Sequence, residues 1–280
     1  MGTERSLVAF TVLGQLAVGF FLFVGGPFIL AGAEPVWVAG RTPVDLLTMG
    51  TLGLVAVAAS LSFFHLHRPM RAYQALRNIR ASWLSREVFF EVAFAGLVAA
   101  LGACVQFGIG NAAVIKGLFV SCGLAGILFV ASMARLYMLP SMRAWNGMHT
   151  PISFFLTSLL TGTLASLVFF RVGGIAGGRY LRALPVICLG LLAASFITAI
   201  LLSPQHGLFR ARPGPSLKPP GRRLAGLHAA RLACLLAGAA VLVTAGAGGR
   251  VAGAAALFTF LMVFAGETLG RIVFYAAAPD

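Results

Sequence analysis

Negative charge is what this 280-residue chain has least of: seven Asp and Glu in all, against 21 Lys and Arg. Charged residues of both signs make up 10% of the sequence and hydrophobic residues 59%, with a mean hydropathy of +0.95. A soluble domain carries roughly a quarter charged residues. Folded in water, a chain this apolar would expose large oily patches. The shortage of charge therefore excludes a soluble globular protein and places the chain in a bilayer. Cysteine is scarce too. Cys104, Cys122, Cys188 and Cys234 are scattered through apolar runs, with no C-x-x-C and no neighbouring His. They read as small buried hydrophobes and offer no ligand set for zinc or an iron–sulfur cluster in this chain. Histidine numbers five, and His65, His67, His149, His206 and His228 all fall near the ends of apolar runs or between them. Bis-histidine haem needs paired histidines within spans, so no haem is expected. The net charge of +14 sits between the apolar runs and at their ends. That is the pattern of membrane-protein loops, not of a nucleic-acid footprint, and no nucleic-acid partner is expected.

What is abundant is long apolar sequence. A span needs about 20 mostly apolar residues, and eight runs qualify: 6–30, 44–64, 88–109, 117–138, 151–170, 184–202, 224–247 and 251–276. The expected fold is all-α, a polytopic bundle of eight transmembrane helices forming one integral membrane domain over 1–280. The first run is too long for a signal-peptide core and reads as a true span. No internal repeat argues for an inverted-repeat transporter. Residues 203–223, between the sixth and seventh spans, are basic and Pro-rich. They predict an extended loop able to meet a partner or acidic membrane lipid. Eight spans put both termini on one side. Fifteen of the Lys and Arg fall there, against six on the other side: Arg41, Lys116, Arg171, Arg179, Arg182 and Arg250. The positive-inside rule then predicts cytoplasmic termini.

With so few acids, each can be placed. Glu4, Glu34, Asp45 and Asp280 fall in termini or at loop edges and are expected to be solvated. Glu87, Glu91 and Glu267 fall in or beside apolar runs, where an ionisable group is costly and marks function by default. Ser85 fits an N-cap for the third span, with Glu87 in its first turn favoured by the helix dipole and Glu91 one turn deeper on the same face. Glu267 and Arg271, four apart, are expected to pair within the last span. The most polar stretch is FFHLHRPMRAYQALRNIRASWLSREVFFEV, residues 63–92. A hairpin of the second and third spans brings His65 and Glu87 to one membrane face. Arg135, Tyr137, His149, Thr150 and Glu267 converge on the same side. Polar groups converging between helices are the form a small-molecule site takes. Histidine, carboxylate and arginine at a membrane edge suit proton-coupled quinone chemistry. A His can accept a hydrogen bond from a quinol hydroxyl, and a carboxylate can carry the proton onward. Arg68 and Arg71 favour negative charge on the ring. A transporter or proton channel is the competing class, and it would need charged groups through the whole membrane depth.

Four stretches then carry a resemblance: FTVLGQLAVGF (10–20), HLHRPMRAYQALRN with SWLSRE (65–87), TPISFFLTSLLTG (150–162) and FAGETLGRIVFY (264–275). Together the chain resembles the membrane anchor subunit of bacterial dimethyl sulfoxide reductase, the DmsC-type family. The resemblance implies a heterotrimer in the bacterial inner membrane, with a molybdopterin catalytic subunit and a four-cluster iron–sulfur subunit seated on the anchor. It implies that the anchor binds quinone or quinol (menaquinone or ubiquinone) and exchanges electrons with the nearest cluster, in anaerobic respiration, without haem. The terminal substrate is turned over in another polypeptide, so this one carries only the quinone-reactive part of an oxidoreductase. The family's quinol-site histidine falls on His65 and its acidic residue on Glu87. Its Pro and Arg-Ala pattern falls on Pro69, Arg71 and Ala72, and its last-helix motif on Glu267 and Arg271. His65 and Glu87 are the expected proton-handling pair. Arg68, Arg71, Glu91, Glu267 and Arg271 are the further expected quinone-binding residues. The sequence departs from the family right after His-Leu, where His67, followed by Arg68, stands where the family often has Gly. That bulkier, more basic wall leaves open a related complex running in reverse, such as a sulfite-oxidising quinone reductase.

Overall fold

The computed structural model describes residues 2–30, 42–63, 78–140, 144–175, 178–201, 222–246 and 251–276. Eight long helices account for most of them. They are α1 (Gly2–Gly25, continued by a π-helical turn over Gly26–Leu30), α2 (Pro43–Phe63), α3 (Trp83–Gln106) and α4 (Ala112–Tyr137), then α5 (His149–Val172), α6 (Gly178–Leu201), α7 (Arg222–Gly246) and α8 (Gly253–Ala276). All eight are long and apolar enough to cross a membrane, so the chain is a multi-pass membrane protein. In hydrocarbon every backbone N–H and C=O must be paired within its own segment, which is why each apolar run closes into a helix.

Two starts differ from the sequence expectation. Helix α3 begins five residues before 88, and its N-cap is Ser82, whose side chain accepts from the Ser85 amide at 3.3 Å. Ser85, the expected cap, is buried inside the helix. Glu87 is therefore in the second turn, where capping and the dipole no longer account for it. Asp45, expected to be solvated, is nearly buried and closes a reciprocal cap at the start of α2. Its Oδ2 accepts from the Thr42 amide at 3.0 Å and the Thr42 hydroxyl at 2.7 Å, while Thr42 Oγ1 accepts from the Asp45 amide at 3.2 Å. Each terminus thus meets orphan donors that lipid could not satisfy.

Helices α1 and α5 are the most enclosed, and the rest wrap them. Helix α1 gathers α2 and α4 about a core in which Phe21 stacks on Phe119 at 4.9 Å and meets Phe94 edge-on at 5.7 Å. Helix α5 gathers α6 and α8 around Leu160, Leu164 and Leu167, with Leu184 and Val263 facing them. The two helices cross where glycine meets glycine. A Cβ on Gly19 would collide with the Ser158 carbonyl oxygen, and one on Gly162 would collide with the Gly19 backbone. Small residues admit this backbone approach, the main route to tight helix packing in lipid. Ser158 Oγ donates to the Gln15 carbonyl at 2.8 Å one turn away and ties the crossing. Large apolar side chains such as Val92, Val186, Leu236 and Leu261 are exposed on the outside, as lipid requires.

Candidate functional site

Because successive spans cross in opposite directions, the N-terminal ends of the odd-numbered helices and the C-terminal ends of the even-numbered ones share one face. Polar groups gather below that face. Glu267 on α8 lies nine residues before the helix end, about 14 Å along the axis at 1.5 Å per residue. It is fully enclosed, and both its oxygens are committed. Oε1 accepts from Ser195 Oγ of α6 at 2.7 Å and lies 3.5 Å from Arg231 Nη2 of α7. Oε2 lies 2.6 Å from Thr157 Oγ1 of α5, whose one proton is shared with the Ser153 carbonyl at 2.9 Å. Four helices therefore meet on one carboxylate. Gly270 makes room for it: a Cβ there would lie 2.6 Å from Arg231 Nε, so the Arg231 side chain crosses α8 over a bare backbone.

Arg271, expected to pair with Glu267, does not bridge it directly. The ion pair of Glu267 is with Arg231, and Arg271 instead donates from Nη2 to Gln15 Oε1 of α1 at 3.0 Å. The i, i+4 spacing makes such a pair possible on an isolated helix. Within the bundle, neighbouring helices offer closer partners to each. Phe154 of α5 covers one face of the Arg271 guanidinium at 3.6 Å, which supplies the negative face of a ring where no carboxylate touches.

Closer to the face stands an aromatic group. Tyr137 at the end of α4 meets Tyr275 of α8 edge to face at 5.2 Å. Trp145, in the connection to α5, stacks on Phe274 at 5.5 Å and donates from Nε1 to the Phe274 carbonyl at 2.8 Å, which pins the end of α8. Tyr137 and Tyr275 are both in electrostatic reach of Arg271 and of Glu87. Glu87 is buried in α3 with Glu91 beside it, and Glu91 Oε1 is a buried acceptor that meets no donor among the described residues. Glu87, the two phenols and Arg271 thus belong to one electrostatic neighbourhood, and Arg271 lies one turn along α8 from Glu267.

Of the expected site residues, Glu87 and Glu91 lie together on α3 and Glu267 and Arg271 on α8, with Glu87 and Arg271 both in electrostatic reach of the two phenols. His65, Arg68 and Arg71 lie outside the described residues. His149 faces the connection before α5, with Nε2 2.8 Å from the Ala144 carbonyl. Sequence reasoning missed Arg231, Thr157 and Ser195 as ligands of Glu267, and Tyr275 beside Tyr137. Arg231 had a visible signal. It is an arginine well inside an apolar run, and counting it with the loop charges hid it. Thr157 and Ser195 had none, because hydroxyls within helices ordinarily bond back to their own backbone.

A family model described as "DMSO reductase anchor subunit (DmsC)" matches residues 1–277. Among curated proteins, the sequence is 25% identical over 281 residues to an anaerobic dimethyl sulfoxide reductase chain of Escherichia coli, covering 97% of this protein and 94% of that one. It is 34% identical over 169 residues to an anaerobic dimethyl sulfoxide reductase chain of Haemophilus influenzae, covering 58% and 57%. It is 35% identical over 107 residues to a sulfite dehydrogenase subunit of Allochromatium vinosum, covering 38% and 29%.

Proposed function

This chain belongs to the DMSO reductase anchor subunit (DmsC) family, and from that premise we propose that it binds quinone or quinol beside Glu87 and exchanges electrons with an iron–sulfur subunit seated on the same face. As an anchor subunit of a DMSO reductase-like complex it associates with catalytic and electron-transfer subunits. In this reading those are a molybdopterin subunit and a four-cluster iron–sulfur subunit, in the bacterial inner membrane.

The observation that carries the reading is Glu87: a buried carboxylate near a membrane face, in the second turn of its helix, within electrostatic reach of two phenols. No cap or ion pair among the described contacts accounts for it, and an ionisable group in that setting is a functional one by default. The residues present suit a quinone ring. Glu91 supplies a buried acceptor free to take a hydroxyl proton, and the Tyr137–Tyr275 pair gives an aromatic wall with polar tips. A bound quinol supplies two electrons and two protons. Glu87 receives a proton at its carboxylate, and His65 takes the hydrogen bond from the hydroxyl. Arg68 and Arg71 favour negative charge on the ring, and Arg271, fixed by Gln15 and Phe154, adds a buried cation. Glu267, with both oxygens committed, keeps Arg231 and α8 in place.

The test uses the purified complex with its partner subunits. His65→Ala and Glu87→Gln should abolish quinol-linked turnover while turnover driven by a soluble dye donor to the catalytic subunit is kept and the complex stays assembled. Normal quinol-linked turnover in both variants would show the site assignment to be wrong. A second reading, the same anchor in a complex that oxidises sulfite and reduces quinone, is favoured by the Allochromatium vinosum relative and by His67 and Arg68. Supplying sulfite and oxidised quinone to the same complex separates the two directions.

A further inference from the structure

Away from Glu267 and its partners, two arginines share one indole. Trp83 opens α3 and is 38% exposed. The Arg86 guanidinium lies over its ring at 4.2 Å, and the Arg135 guanidinium, from the last turn of α4, at 5.5 Å. The negative face of an aromatic ring attracts cations, so the indole gathers two like charges that would otherwise move apart. Backbone carbonyls fix both. Arg86 donates from Nε to Ile79 at 2.9 Å and from Nη2 to Arg80 at 2.7 Å, and Arg135 donates from Nη1 to Met138 at 3.1 Å. A guanidinium has five N–H donors, so these bonds orient each fork and leave donors for a ligand. Among the described residues no carboxylate pairs with either arginine. Glu87, next to Arg86 in sequence, is buried. The flanking connections, residues 64–82 and 138–148, contain no Asp or Glu and add Arg68, Arg71, Arg77, Arg80 and Arg143. Positive charge gathered this way calls for an anion from outside the chain.

What lies beneath the two arginines says which anion. On α4 the exposed residues Val120, Leu124 and Leu128 recur at helical spacing, and exposed Arg135 ends the same stripe. On α3, Phe89 and Val92 are exposed deeper than Trp83. Apolar stripes on the outside of a membrane bundle meet acyl chains, and a Trp at the end of a span marks the headgroup level. We propose that Trp83, Arg86 and Arg135 form a headgroup site for an anionic phospholipid. The two guanidiniums donate to its phosphate oxygens, and its acyl chains run down the exterior of α3 and α4. The planar fork of Arg suits phosphate in a way the point charge of Lys does not. With no acid in the cluster, a zwitterionic lipid brings an ammonium that the site repels, so the net negative lipid is selected.

The test is the purified, lipid-depleted complex titrated with phosphatidylglycerol or phosphatidylcholine and read by native mass spectrometry. Phosphatidylglycerol should fill one saturable site in preference to phosphatidylcholine. Arg86→Gln combined with Arg135→Gln should weaken it about ten- to a hundred-fold, as expected for losing charge-assisted hydrogen bonds. Arg86 also holds backbone, so Arg135→Gln alone, at an exposed position, is the variant that keeps the fold, and it should show part of the loss. Arg222→Gln with Arg223→Gln, exposed cations on the same face, should leave the affinity unchanged. Phosphatidylglycerol with brominated acyl chains should quench a part of the tryptophan emission that is missing in Trp83→Phe. Equal binding of the two lipids, or an equal loss in the Arg222 and Arg223 variant, would reduce the cluster to unspecific attraction and overturn the inference. So would phosphatidylglycerol affinity unchanged in Arg135→Gln, and if the soluble subunits then dissociate more readily, the cluster is a docking surface for an acidic patch of theirs.

Discussion

Glu267 and Arg271 share a helix and opposite charges, yet each takes its partner from another helix. The reason is depth and direction. Side chains four apart on α8 lie one turn apart along the axis, and α7 brings Arg231 across Gly270 to the level of Glu267. Removing one member of a buried pair leaves the other charge uncompensated, at a cost of about 3–5 kcal/mol. Arg231→Met should therefore lower the unfolding free energy of the detergent-solubilised protein by about that much, measured by circular dichroism. The double variant Arg231→Met with Glu267→Gln should recover most of the loss, since no unpaired carboxylate remains. Strict additivity of the two changes would show that they do not interact. At this scale the sequence made the acids legible, because seven are few enough to inspect singly. It left their hydroxyl partners illegible, because Thr157 and Ser195 look like any helical hydroxyl.

At the scale of elements, the α1–α5 crossing organises the bundle. Both helices are rich in small residues, but so is the whole chain, with 34 glycines. Composition therefore did not mark Gly19 and Gly162 as a contact. The backbone distances do: a methyl at Gly19 has no room against the Ser158 carbonyl, whereas one at Gly96 meets nothing within 4 Å. Gly19→Ala should destabilise the protein by about 1–3 kcal/mol or more, as overpacking does. It should also weaken the 2.8 Å Ser158–Gln15 bond and, through Gln15, move Arg271. Gly96→Ala should be neutral or slightly stabilising, through helix propensity. The comparison is read as a difference in thermal midpoint of the purified complex, and equal midpoints would remove the crossing from its organising role.

For the whole molecule, charge distribution and fold bear on orientation. Arg231 and Arg271 belong to the bundle interior, so they leave the loop count, but thirteen Lys and Arg of the sequence then remain on the terminal side against six on the other. The positive-inside rule predicts from this that the termini face the cytoplasm. A fluorescent-protein fusion at the C-terminus, which matures only inside the cell, should then be bright, and an alkaline phosphatase fusion at the same point inactive. The opposite result would assign the basic loops of that face to docking of the partner subunits, and the subunits to the outer side.

The sequence by itself determined the all-α class and the eight crossings. Both follow from local facts: a bilayer demands about 20 apolar residues per crossing and backbone hydrogen bonds closed within each segment. It also exposed Glu87, Glu91, Glu267 and Arg271 as charges out of place in apolar runs. Only the tertiary structure decided what each of them faces. Partner choice depends on the rotation and depth of one helix against another, and an apolar sequence with small residues on every face encodes those weakly. Hence Gln15 met Arg271 across 256 residues of sequence, and Glu267 passed over the arginine one turn away for one on α7.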